Sequence, residues 1–301
     1  MWRRGGRFGR WLTRVPLSGI LLGGMLVGCA GGGPEQSAPS AASAGQPGDH
    51  SLAISIGGAS RAYLLHVPPG YQPNAALPLV IALHYRPGTA EAMRAMTDFD
   101  AKADEKRFLV AYPQGVGNQF NAFTCCGSQD DVGLVKAVVQ QIVEDWQVDP
   151  DRVYLTGVSN GADLSFRAAV EAPGVFAAIA PVSGGFYGNS PDQPDYAPTS
   201  PVSVVTFIGL DDPMAQTLQG GIKAWQDRLR CRPGRSTKLA AGAVRKADST
   251  CADGSEVEVY QVKDGGHAWF GATVGELADA DPKLNATNLI WDFFAAHPRR
   301  P

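Results

Sequence analysis

VYLTGVSNGADLSFRA, residues 153–168, decides how the rest of the chain is read. It opens on a β-branched, aromatic and apolar run, Val153, Tyr154, Leu155 and Thr156, and passes into Gly157-Val158-Ser159-Asn160-Gly161. Leu164, Ala168 and Ala169 then recur at helical spacing. The order is strand, sharp turn, helix, and such a turn lifts one hydroxyl to the carboxyl end of a strand. Glycines on both sides of Ser159 fit a place where packed backbone leaves no room for a β-carbon. The unpaired amides that begin the helix favour a developing negative charge. In a chain with 36 glycines a bare G-x-S-x-G is a weak signal; its place between strand and helix gives it weight.

Outward from this stretch, apolar runs alternate with helical periodicities. Residues 79–83 (LVIAL) are continuously apolar, as in a central strand covered on both faces. A helix is expected from Thr89 or Glu91 to about Lys106, then a strand at 108–112. An irregular loop follows at 114–127, carrying Phe120, Asn121, Phe123, Cys125 and Cys126. Asp130-Asp131 cap a helix in which Val135, Val138, Val139, Ile142, Val143 and Trp146 repeat at three and four. Downstream lie strand-like runs at 176–182, 201–208 and 256–262, a helix holding Ile222, Trp225 and Leu229, and a last helix near 284–296. Ahead of them all, 51–56 and 61–67 read as a hairpin turned by Gly57-Gly58. Alternating strands and helices imply an α/β fold with a mostly parallel central sheet and helices on both faces. Ligands bind such sheets at the carboxyl ends of the strands. The loops after Leu83, Thr156, Ile208 and Val262 should therefore meet at one edge, bringing His84, Ser159, Asp212 and His267 together.

The amino terminus has a different character. Five arginines precede an apolar run at 15–27 that is too short to span a bilayer, so 1–28 read as a signal peptide. Leu26-Val27-Gly28-Cys29 resembles the bacterial lipoprotein processing box, which implies lipid attachment to Cys29. Residues 29–50, rich in Gly, Ala, Ser and Pro, are expected to be a disordered tether, and 51–301 a single catalytic domain. The expected location is extracytoplasmic, membrane-anchored or secreted. Loss of the arginine arm moves the formal charge from −3 to −8, and no basic run remains to bind nucleic acid. Four cysteines remain beyond Cys29, and an even number in an exported chain suggests two disulfides. Cys231–Cys251 with Cys125–Cys126 is the favoured pairing, a rearrangement the alternative. No C-x-x-C spacing points to a metal. Nothing in the sequence speaks to oligomeric state.

A serine hydroxyl needs a base beside it. Of five histidines, His267 lies in a Gly-rich loop, KDGGHAW, after the last strand, where an imidazole can be exposed. The base needs a carboxylate to hold its tautomer. The Asp211-Asp212-Pro213 turn after a buried strand offers one, because Ser, Asp, His in that order along the chain matches the α/β-hydrolase triad; Asp212 is preferred over Asp211, with Asp264 an outsider.

With those residues in place, the sequence resembles the secreted polyhydroxybutyrate depolymerase and feruloyl esterase-like family of α/β-hydrolases. The matching stretches are PPGYQP, PLVIALH, VAYPQG, CCG before DDVG, VDPDRVYLTGVSNGADLSFRAA, FAAIAPVSG and GGHAW. The resemblance implies cleavage of carboxylic esters (short hydroxyalkanoate, acetyl or feruloyl), with Ser159 as nucleophile, Asp212 as acid and His267 as base, and no cofactor. It also implies an oxyanion hole from the backbone amides of Asn160 and Tyr85. The family usually has His-Gly where this chain has His84-Tyr85; a tyrosine would be strained there if φ had to be positive. The family's His-Gly-Thr is Ile208-Gly209-Leu210 here. His84, Phe120, Phe123 and Trp269 are candidate substrate contacts, the three aromatics being either a wall suited to a cinnamoyl-type ring or ordinary core. The departures leave a second reading open, a lipid-tethered binding protein on a decayed hydrolase.

Overall fold

The computed structural model describes residues 45–123, 125–279 and 283–299. The expected signal peptide, Cys29 and the tether as far as residue 44 lie outside the described residues. Among the described residues, no helix is long and apolar enough to cross a membrane.

β1 (Gly48–Ile56) and β2 (Ala59–Val67) form the expected hairpin, with Ile56 opposite Ala59. Gly57 and Gly58 have φ of 59° and 83°, the two positive values that let a two-residue turn follow the twist of its strands. β1 starts at Gly48, within the stretch expected to be tether. β3 (Leu77–Leu83) is buried along its whole length. Leu79, Ile81 and Leu83 enter one core, Val80 and Ala82 the other, which is why the run is apolar without alternation.

The single helix expected to reach Lys106 is two. α1 (Ala90–Thr97) is capped by Thr89, whose hydroxyl accepts from the Ala92 amide. Asp98 then takes φ of 53°, and α2 (Phe99–Lys106) sets off in a new direction. Aspartate tolerates this left-handed geometry better than most residues, and the apolar spacing on either side gives no hint of it. β4 (Leu109–Pro113) follows, then the irregular loop, then α3 (Asp131–Asp145). Asp130 alone caps α3, accepting from the Gly133 amide at 2.7 Å. Asp131 is instead buried in an ion pair with Arg61 of β2, 2.5 Å apart.

β5 (Val148–Val158), α4 (Asn160–Glu171), β6 (Ala178–Val182), β7 (Ser203–Gly209) and α5 (Ala215–Arg228) continue the alternation. β8 (Arg232–Leu239) and β9 (Val244–Thr250) were not expected; β8 is exposed on both faces and carries no apolar alternation. β10 (Glu256–Val262), the short pair β11 (Trp269–Phe270) and β12 (Ala278–Asp279), and α6 (Ala286–Ala296) complete the chain.

The main sheet runs β1-β2-β4-β3-β5-β6-β7-β10-β9-β8. Its centre, from β4 to β10, is parallel; β1 and β2 at one end and β9 and β8 at the other are antiparallel. α3, α4 and α5 cover one face through Val138, Ile142, Leu164, Ile222 and Trp225. α1, α2 and α6 cover the other through Met93, Phe99, Ile290 and Phe294. Cys231–Cys251 closes the base of the β8–β9 hairpin, and Cys125 is bonded to Cys126, the favoured connectivity.

Candidate active site

Ser159 sits between β5 and α4 with φ of 54° and ψ of −120°, a conformation that costs an L-residue about 1–3 kcal/mol. Its surroundings impose it. The Ser159 amide donates to the Val182 carbonyl at 3.0 Å, and the Ser159 carbonyl accepts from the Asp163 amide at 3.0 Å. A β-carbon on Gly157 would lie 2.5 Å from Gly161, and one on Gly161 would lie 2.3 Å from the Leu83 carbonyl oxygen. The two glycines thus close the turn and press the start of α4 onto the end of β3. That contact sets Asn160 beside the loop that begins at His84.

His84 is fully buried. Its Nε2 accepts from the Gly115 amide at 3.0 Å, so Nδ1 carries the proton and donates to the Tyr85 carbonyl at 2.7 Å. Burial lowers its pKa, which keeps the ring neutral. The expectation that His84 touches substrate is therefore corrected: both nitrogens are engaged and no face is exposed. The Tyr85 carbonyl also accepts from the Gly88 amide, and Tyr85 is not among the residues with positive φ, so the strain foreseen for a tyrosine here does not arise.

The side chain of Asn160 clamps the irregular loop. Its Oδ1 accepts from the Phe120 amide at 2.8 Å and its Nδ2 donates to the Phe120 carbonyl at 3.0 Å. The Cys125 and Cys126 sulfurs lie 3.8 and 4.0 Å from the same nitrogen. Phe120 is buried against the His84 ring, 4.3 Å between centroids. Trp269 is buried too, its indole donating to Thr287. Phe120 and Trp269 are buried in the core, the second of the two readings open for them. Phe123 is partly exposed, edge-on to Phe186 and Tyr196.

Asp212 follows β7 and its side chain is 1% exposed. Its Oδ2 is 2.7 Å from His267 Nδ1, while Oδ1 accepts from the Met214 amide at 2.8 Å. Asp211 and Asp264 are both exposed, and it is Asp212 that pairs with His267. The acid and histidine loops are pinned together from behind. A β-carbon on Gly209 would be 2.3 Å from the carbonyl oxygens of Gly265 and Gly266, and the Asp211 amide donates to Gly265. With Nδ1 turned to a carboxylate, Nε2 of His267 is the nitrogen left for chemistry. The His267 side chain is 31% exposed.

Two buried polar residues here had no signal in the sequence. Ser183 bonds both backbone groups of Ala268, next to His267. Asp163 accepts from the Gly185 amide and the Tyr187 hydroxyl. Their partners are distant or aperiodic in sequence. Far from this edge, Asp49, His66 and Asp100 offer ligand atoms within 4.8 Å of one another, but the Arg94 guanidinium already pairs with both carboxylates.

Comparison with known proteins agrees with this geometry. Residues 61–193 match the family described as Esterase PHB depolymerase. Feruloyl esterase C of Emericella nidulans is 28% identical over 248 residues, covering 78% of this chain and 84% of its own. Poly(3-hydroxyalkanoate) depolymerase C of Paucimonas lemoignei is 36% identical over 130 residues, 40% of this chain and 31% of its own length. Among solved structures, an acetyl xylan esterase from Aspergillus awamori superposes with a TM-score of 0.62 at 15% identity, covering 82% of this chain and 99% of that one, which supports the α/β-hydrolase fold. The strained serine turn and the paired aspartate and histidine at the same sheet edge agree with these matches: over residues 61–193 the chain is similar to the Esterase PHB depolymerase family, and it is an ester-hydrolysing enzyme.

Proposed function

We propose that the chain is an exported serine esterase in which Ser159 is the nucleophile, His267 the base and Asp212 the acid. The observation that carries this reading is the 2.7 Å contact between buried Asp212 and His267 Nδ1, at the edge where the Ser159 turn emerges. His267 Nε2 takes the Ser159 proton as the hydroxyl attacks an ester carbonyl. The amides of Asn160, first in α4, and Tyr85 receive the oxyanion, each worth roughly 3–4 kcal/mol in comparable sites. His267 then hands its proton to the departing alcohol, and water repeats the cycle to release the acid. Short hydroxyalkanoate, acetyl and feruloyl esters are the candidate substrates, from the names of the relatives. Leu210 and Met214, exposed by 42% and 36% on either side of Asp212, offer apolar surface to such groups. Attachment through a lipid on Cys29 is part of the proposal, and mass spectrometry of the mature amino terminus tests it.

The direct experiment is Ser159→Ala. It should lower kcat for p-nitrophenyl acetate by roughly 10⁴-fold and abolish labelling by a fluorophosphonate, with the fold unchanged. Retained turnover in that variant would end the assignment, and a panel of acetyl, butyryl, hydroxybutyrate-oligomer and feruloyl esters then sorts substrates.

A further inference from the structure

We propose that Ser183 is a positioning residue that sets His267 in register with Ser159; this rests on the triad reading above. Ser183 directly follows β6 and is fully buried. Its Oγ donates to the Ala268 carbonyl at 2.9 Å and accepts from the Ala268 amide at 3.1 Å. A hydroxyl can do both at once. The Ala268 amide belongs to the peptide that leaves His267, so this pair of bonds fixes the main chain of the base, while Asp212 fixes its ring.

The other end of the argument is the serine turn. Residues 182–184 embrace it. Val182 accepts the Ser159 amide at 3.0 Å, and a β-carbon on Gly184 would lie 2.6 Å from the Ser159 carbonyl oxygen. One short segment therefore holds the backbone of the nucleophile and, through one side chain, the backbone of the base. The conformation of Ser183 fits this role. Its φ is 49°, with its amide donating to Phe207 at 3.0 Å. Glycine adopts such a backbone without strain, whereas serine does not, but glycine has no hydroxyl to offer Ala268.

Ser183→Ala tests the proposal because it keeps the β-carbon and removes only the hydroxyl. A small misplacement of a catalytic group costs up to about 10²-fold. The expected result is a fall in kcat for p-nitrophenyl acetate of at least about tenfold with KM within about threefold, and slowed fluorophosphonate labelling of Ser159. A smaller fall in kcat overturns the proposal even if the melting temperature drops, since that is what a merely structural hydroxyl would give. A change carried mainly by KM overturns it as well. Should Ser183→Ala not fold, Ser183→Cys retains a weak donor of similar size and is judged by the same criteria. Failure of the triad reading is separately visible, because Ser159→Ala or His267→Ala would then keep its activity.

Discussion

Buried groups that take no part in bond cleavage still govern when the site can exist. Asp163, in the first turn of α4, is one. Burial pushes its pKa up to about 7, while bonds from the Gly185 amide and the Tyr187 hydroxyl pull it down. The folded value lies above the unfolded one, so the contribution to stability is complete below about pH 4 and is lost as pH rises through 7. Asp163→Asn should flatten this dependence: its melting temperature should fall less between pH 5 and pH 8 than that of the parent (the two ends of a buffer series spanning about 3 pH units). An unchanged slope would mean the carboxyl is not the source. At this scale the sequence was legible where residue type and local spacing carry the signal, as with the strained turn at Ser159 and the pairing of Asp212 with His267. It was silent where a bond joins residues far apart. Ser183 and Ala268 are separated by 85 positions, Arg61 and Asp131 by 70, and no periodicity records either pair.

Elements meet at this edge through missing side chains. Gly161 lets α4 touch the carbonyl of Leu83, with 2.3 Å available to a β-carbon that needs more than 3 Å. The neighbour is backbone, so it cannot step aside without moving β3 or α4. Gly161→Ala should therefore destabilise by about 1–3 kcal/mol, the usual cost of overpacking, and should also lower kcat by shifting Asn160 against Tyr85. Urea denaturation read beside turnover checks both; an unchanged midpoint would show that the contact can relax. The central strands could be read from sequence because both faces are covered and every residue is apolar. The β8–β9 hairpin could not, since its outer strand is exposed on both faces and its sequence looks like loop. The break at Asp98 was hidden for a related reason: buried residues continue at short spacings on both sides of a turn that only the backbone reveals.

Among the described residues, every helix and strand that positions Ser159, Asp212 and His267 lies between Gly48 and Ala296. A chain beginning at residue 45 should keep kcat within about twofold of the full chain, as expected if these elements suffice to build the site. A larger loss would show that the amino-terminal stretch completes the catalytic body. The alternation of strand and helix made the architecture legible, and the order of serine, aspartate and histidine made the edge legible. The disposition of the aromatics was not, because a phenylalanine or tryptophan suits a core as well as a binding wall. The two rims of the sheet close the picture. Along the rim formed by β8, Arg232, Arg235 and Lys238 stand in water, and Pro233 has no amide hydrogen to give. A strand from another molecule trying to zip on there would have to dehydrate three cations and forgo a bond. Lateral fibre growth from that rim is discouraged by the sequence itself, which helps keep the protein dispersed when it is crowded.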